Sequence, residues 1–162
     1  MRAHLSYLKY VIRHKWYVFL ECYKLGIPVL GIVHDWSKFL PSEWFPYVRS
    51  FYNPDGTPRH VRDETGYYDP HKISGDFDLA WLHHQHWNKH HWQYWSLVQD
   101  EDEDKLLPMP DRYRREMLAD WRGAGRAQGK TNTRAWYEKN QHKIKLHPET
   151  LIWIEGKLQV WT

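Results

Sequence analysis

"AHLSYLKYVIRHKWYVFLECYKL", residues 3–25, is the stretch on which the fold class turns. Its apolar side chains recur at helical spacing, and neither Pro nor Gly interrupts it before Gly26. One stripe of that helix carries Val11, His14, Val18, Cys22 and Leu25, so His14 is expected to face inward among apolar neighbours. Next comes "IPVLGIVHDW" (27–36), a short apolar helix opened by Pro28 that delivers His34 and Asp35 at its end. Helical patterns return over 40–52, where Pro46 should introduce a kink, and over 76–95, either continuous or broken near Asn88. They recur over 110–122, 133–145 and 148–159. There is no internal repeat and little strand signal beyond the last few residues. The class is all-α, with about six to seven helices.

The 162 residues fit one domain spanning 1–162, long enough to bury a core without disulfides. Eleven Trp and eleven Tyr supply large buried areas to that core. A net charge of +3 permits an anionic ligand without demanding nucleic acid. Cys22 stands alone, which excludes an intramolecular disulfide and a Cys-based zinc finger. Arg13, His14 and Lys15 interrupt the N-terminal apolar stretch, so it lacks the layout of a signal peptide. No uncharged run approaches the length of a bilayer span. A cytoplasmic protein with no membrane association is expected.

Chemistry-bearing residues gather in three places. "HHQHWNKHH" (83–91) puts five of the twelve histidines into nine positions. His83, His86 and His90 share one helical face with Leu79, and His84 and His91 share a neighbouring face with Ala80 and Trp87. A continuous helix turns only one of these faces inward, whereas a break at Asn88 lets both halves converge. "HDWSKF" (34–39) offers an imidazole nitrogen and a carboxylate side by side. Asp120, in "EMLADW" (116–121), lies beside Met117 and Leu118, which mark a partly buried turn. A carboxylate there needs a partner, and a metal or a nearby Arg would serve.

Other features carry weaker readings. Residues 53–75 are rich in Gly and Pro and read as a long loop over or beside the site. His60, Arg62, Tyr67 and His71 would then reach the site, while a disordered insertion is the alternative. "AGRAQGKT" (124–131) has relaxed Walker A spacing but no strand before it and no parallel sheet to hold it. It reads as part of a Gly-rich helix–helix connection at 123–129. The basic set Arg112, Arg114, Arg115, Arg122, Arg126, Lys130 and Arg134 is interspersed with acids and reads as a solvated face with local ion pairs.

Taken in order, His14, the His34–Asp35 pair, the 83–91 histidines and Asp120 resemble the HD-domain superfamily of metal-dependent phosphohydrolases. The combination "HDWSKF…AWLHHQHWNKHHWQYW…EMLADW" is similar to a branch of small proteins from phages and bacteria. The likeness covers roughly residues 10–125 and leaves the helices of 133–159 to pack upon that part. It implies that His14, His34, Asp35 and Asp120 hold a first ion. Asp35 would also bridge to a second ion held by some of His84, His90 and His91. Lys38 stands where many members carry a Lys and would put positive charge near the substrate, so Asp35 and Lys38 are the implied catalytic pair. Imidazole-rich ligands favour Mn, Fe, Co or Zn over Mg. The implied activity is hydrolysis of a nucleotide or related small phosphoester. An HD-like di-iron oxygenase and a metal-stabilised phage binding protein without turnover stay open.

Overall fold

Helix α1 (Arg2–Lys24) forms where the uninterrupted period predicts it, and buries Tyr7, Val11, His14, Val18 and Cys22 along one face. The structure is a computed structural model describing residues 1–67, 69, 75–100 and 103–160. After α1 come α2 (Pro28–Val33), α3 (Pro41–Phe51), α4 (Gly75–Trp87), α5 (Asp111–Ala127), α6 (Thr133–Asn140) and α7 (Pro148–Val160). Short 3-10 turns cover Trp36–Phe39, Trp92–Trp95 and Gln141–Lys143. Among the described residues the strands are β1 (Ser96–Leu97) and β2 (Lys105–Leu106), a small antiparallel pair. The all-α class holds.

The two halves of α1 pack into different apolar clusters. Tyr7 and Val11 meet Tyr47 and Val48 of α3 and Phe77 and Ala80 of α4. Val18, Cys22 and Leu25 meet Ala119 of α5. A third cluster joins Met117 and Leu118 of α5 to Tyr137 of α6 and Ile154 and Leu158 of α7. His14 falls between the first two clusters in sequence, buried, with its ring stacked on Tyr10 at 6.1 Å.

Two glycines set how close the helices come. A Cβ on Gly31 of α2 would lie 2.8 Å from Cys22 Cβ and 3.0 Å from Phe19 Cα. A Cβ on Gly123 of α5 would lie 2.5 Å from Val18 Cγ2 and 2.7 Å from the Val18 nitrogen. The missing side chains let α2 and α5 seat directly on α1, which brings His34, Asp35 and Asp120 towards His14.

The structure corrects two local expectations. Residues 123–127 are not a loop, because α5 runs on to Ala127. The helix penalty of a glycine, about 1 kcal/mol, is offset at Gly123 by close packing against α1. The last residues described are helical rather than extended, since α7 continues to Val160. Pro46 sits inside α3 without ending it. Near Asn88 the helix is broken rather than continuous: α4 stops at Trp87, and the Asn88 side chain donates to the His84 carbonyl.

Candidate metal centre

Asp35 is the hub. It follows the end of α2 with φ 55° and ψ 29°, in the left-handed region, and is the non-glycine residue with positive φ among those described. Such a conformation costs roughly 1–2 kcal/mol and is tolerated best by Asn and Asp. Lys15 of α1 donates to the carbonyl of His34 and so fixes the chain at this corner. The result turns the Asp35 carboxylate inward, where it is 1% exposed.

Its two oxygens face different imidazoles. Oδ2 lies 3.2 Å from His14 Nε2 and 3.3 Å from His34 Nε2. Oδ1 lies 3.4 Å from both His84 Nε2 and His90 Nε2. Asp120 completes the first side, with Oδ1 at 3.3 Å from His14 Nε2 and 3.5 Å from His34 Nε2. One potential ligand atom from each of His14, His34, Asp35 and Asp120 falls within 4.8 Å of the others. The same spacing holds for Asp35, His84, His90 and His91. A first-row ion with ligands at about 2.0–2.3 Å fits between atoms so spaced.

The break at Asn88 makes the second group possible. Ala80 and His84 lie on the buried face of α4, whereas Leu79 and Trp87 are exposed. The chain then turns, with the His91 backbone nitrogen donating to the Asn88 carbonyl, and returns His90 and His91 beside His84. The His84 and His91 rings are 4.8 Å apart, and those of His90 and His91 are 4.4 Å apart. His86 stays exposed, and His83 is turned aside to Glu43, with Nδ1 2.8 Å from its Oε1.

Two carboxylates hold the imidazoles from behind. Glu116 Oε1 lies 3.0 Å from His34 Nδ1 and 3.3 Å from His90 Nδ1. Glu43 Oε2 lies 2.8 Å from His84 Nδ1. Carboxylates on Nδ1 fix the tautomer that presents an acceptor Nε2, the usual backing of a metal-bound histidine. Glu116 with His34 and His90 is itself spaced like a ligand group. Its contacts run to the far ring nitrogens, however, which favours the backing role. Spacing alone reveals neither acid directly. Glu116 lies one helical turn before Asp120, so it could have been found. Glu43 leaves no comparable signal.

Charge balance is unusual for an interior. Burial opposes ionisation of Asp35, yet His34, Lys38 and His84 hold its pKa well below the usual carboxylate range. Burial likewise works against charge on His34, and the carboxylates of Asp35, Asp120 and Glu116 raise its pKa well above that of free imidazole. Burial and the adjacent His90 and His84 push His91 well down, keeping it neutral and able to accept. Among the described residues, His34 Nε2, His90 Nε2, His91 Nε2 and Asp35 Oδ1 are buried without a hydrogen-bond partner. Orphaned polar atoms of this kind are rare and expensive, and here they converge on shared points. The residues present fit one or two metal ions.

Lys38 reaches back from the 3-10 turn to Asp35 Oδ2, 2.5 Å away. With His14, His84, His91 and Asp120 it lines a cavity of about 480 Å³. Arg62, Glu64, Thr65, Gly66 and Tyr67 line it too, so part of the 53–75 loop shares a cavity with the histidine cluster. His60 is exposed and outside that lining. His71 lies outside the described residues. The basic set is mostly spent locally: Arg114 and Arg115 on Asp111, Arg126 on Glu21, Arg134 on Glu138.

A family model matches residues 3–160, nearly the whole chain; its description is a family of unknown function, DUF5662. The chain belongs to the DUF5662 family. No curated protein and no solved structure matches it. Among the described residues of this DUF5662 chain, no helix is long and apolar enough to cross a membrane.

Proposed function

We propose that this DUF5662 chain is a metal-dependent phosphohydrolase of HD-like type acting on a nucleotide or related small phosphoester. The observation that carries the reading is the Asp35 carboxylate, set with one oxygen toward His14 and His34 and the other toward His84 and His90. His14, His34, Asp35 and Asp120 would hold one ion, and Asp35, His84, His90 and His91 the other. When bound, Mn, Fe, Co or Zn ions would supply Lewis-acid activation of water and of the phosphoryl group.

The chain supplies the rest. Glu43 and Glu116 hold three imidazoles in orientation by their Nδ1 atoms. Lys38, on the cavity wall, places an ammonium where a substrate phosphoryl oxygen would enter. That ammonium would suit an anionic phosphoryl oxygen, which is why the hydrolase is the leading reading. Tyr10 and Trp81 stack on His14 and His84, and with Trp92 they line the cavity there.

The test starts with elemental analysis of protein purified without a metal-binding tag. Release of phosphate (or, for cyclic nucleotides, formation of the nucleoside monophosphate) is then followed across nucleoside monophosphates, triphosphates, cyclic nucleotides and an aryl phosphate. Release that chelation abolishes, and that Mn²⁺, Co²⁺ or Fe²⁺ restores better than Mg²⁺, is the expected result. Turnover surviving both exhaustive chelation and Asp35→Ala would overturn it. Bound iron with oxygen consumption would select the oxygenase instead.

A further inference from the structure

The cavity does not end at the histidine cluster. A second part of its wall is built from residues 62–67, the α5–α6 connection and α6, and carries Arg62, Tyr67, Lys130, Trp136 and Lys139. This wall is fastened in place. Asp63 Oδ2 lies 2.6 Å from Lys143 Nζ, and Asp63 Oδ1 accepts from the backbone nitrogens of Thr65 and Tyr67. The Thr65 hydroxyl donates to Asn140 Oδ1 at 2.7 Å, and Asn140 Nδ2 donates back to the Thr65 carbonyl. The Tyr67 ring stacks on Trp136 with 8° between the planes, and Trp136 also meets Trp121.

Cations on this wall outnumber the acid there. Arg62, Lys130 and Lys139 face the cavity with Glu64 as the carboxylate among them. Arg62 is engaged, donating to the Gly66 carbonyl at 2.8 Å. The side-chain ammonium groups of Lys130 and Lys139 make no hydrogen bond or ion pair among the described residues, in contrast to the guanidinium groups of Arg114, Arg115, Arg126 and Arg134. Two uncompensated ammonium groups beside stacked aromatic rings form a surface for an anion attached to a flat apolar body. A single phosphate at the histidine cluster would leave most of about 480 Å³ unused.

Resting on the phosphoester reading of the cluster, we propose that the cavity takes an aromatic phosphoester with a second, separate anionic group. The scissile phosphate lies toward Lys38 and the histidines, the ring lies against Trp136 and Trp121, and Lys130 and Lys139 receive the second anion. A nucleoside bisphosphate has this chemistry; a nucleoside monophosphate lacks its last part.

The experiment compares adenosine 3′,5′-bisphosphate with adenosine 5′-monophosphate on the metal-loaded full chain, by calorimetric binding and by phosphate release. Two solvated charge contacts predict a preference of about tenfold in Kd for the bisphosphate. Lys130→Ala combined with Lys139→Ala should collapse that ratio towards one. Replacing Arg134 and Lys145, two exposed cations outside the cavity wall, controls for the loss of net charge. Equal affinities in the wild-type chain, no binding of either ligand, or a ratio that survives the double replacement would each overturn the proposal. The two readings separate cleanly. Phosphate release without preference removes the second anion site and keeps the hydrolase, whereas preferential binding without release does the reverse.

Discussion

The two walls of the cavity are built on opposite physical terms. On one side, five imidazoles and four carboxylates are drawn from α1, α2, α3, α4, α5 and the Asn88 turn, mostly out of water and held by packed helices. On the other, the lysines are solvated and the scaffold is a turn pinned to α6 by a few polar bonds. Burying charge without strict pairing costs several kcal/mol, so the first wall tolerates little change. The second wall leaves its lysines hydrated and should tolerate substitution. On the proposed reading, the fold would separate a demanding metal centre from an adjustable recognition surface. That contrast ranks the following expectations.

The largest effect belongs to Asp35. Asp35→Asn keeps the shape but removes the charge shared by both groups of imidazoles, so metal content and phosphate release should both collapse. Metal analysis and turnover on the same sample check this. Full activity in Asp35→Asn would show that the cluster is structural. Lys38→Ala comes second, because its ammonium acts through charge alone. Turnover should fall by about 10²–10³ with metal content kept.

Glu116→Gln tests the outer shell. Losing the acid behind His34 and His90 should weaken metal affinity by about 10–100-fold, read by competition with a chelator. Glu116 also sets a pH window in the metal-free chain. Burial would raise its pKa, but hydrogen bonds from His34 and His90 outweigh that and bring it from the ordinary 4.5 to about 2. A depressed carboxylate pKa stabilises the fold fully above the ordinary value and loses that contribution as pH falls through the folded one. Wild-type stability should therefore decline between about pH 4.5 and 2, and the decline should be shallower in Glu116→Gln. Urea melts across that range decide it.

How much of this was legible in the sequence differs from wall to wall. His14 could be placed because an amphipathic helix betrays its inward stripe, and the all-α class followed from the same periodicity. The chain break that gathers His84, His90 and His91 was legible at Asn88 as one of two alternatives. Glu43 was hidden, since a buried acid at a helix start looks like an ordinary cap-region residue until its histidine partners are seen. The continuation of α5 through Gly123 was hidden too, because local propensity penalises glycine and only contact with Val18 explains it. Lys130 reads as part of a failed phosphate loop, and nothing local says that it faces a cavity shared with His14.

Gly123→Ala turns that hidden packing into a measurement. The added methyl would strike the Val18 backbone, which cannot swing aside, so α1 and α5 must separate. Overpacking of this kind costs about 1–3 kcal/mol, less roughly 1 kcal/mol regained in helix propensity. Because Asp120 sits on the same helix one turn earlier, metal affinity should fall along with melting temperature. A stabilised variant with unchanged metal affinity would show that the close approach of α5 to α1 is not what positions Asp120.

The smallest stability effect is expected at Thr65, and it sharpens the comparison most. Thr65→Val keeps the side-chain shape but removes a hydroxyl that donates to Asn140 Oδ1 or Asp63 Oδ1 and accepts from Lys143 Nζ. Each net hydrogen bond is worth about 1 kcal/mol, and Asn140 retains its bonds to the Thr65 and Trp136 carbonyls. The fold should therefore soften only slightly. Metal content should not move, because no bond made by Thr65 reaches the histidine cluster. The turn of 62–67 should loosen from α6, however, spreading Tyr67 and the adjacent cations over more positions. KM for a phosphoester carrying a second anion should rise by a few-fold, with kcat nearly unchanged. A fall in kcat or metal content of the size expected for Asp35 or Lys38 would mean that the two walls are one mechanical unit, and that the separation drawn between them is wrong.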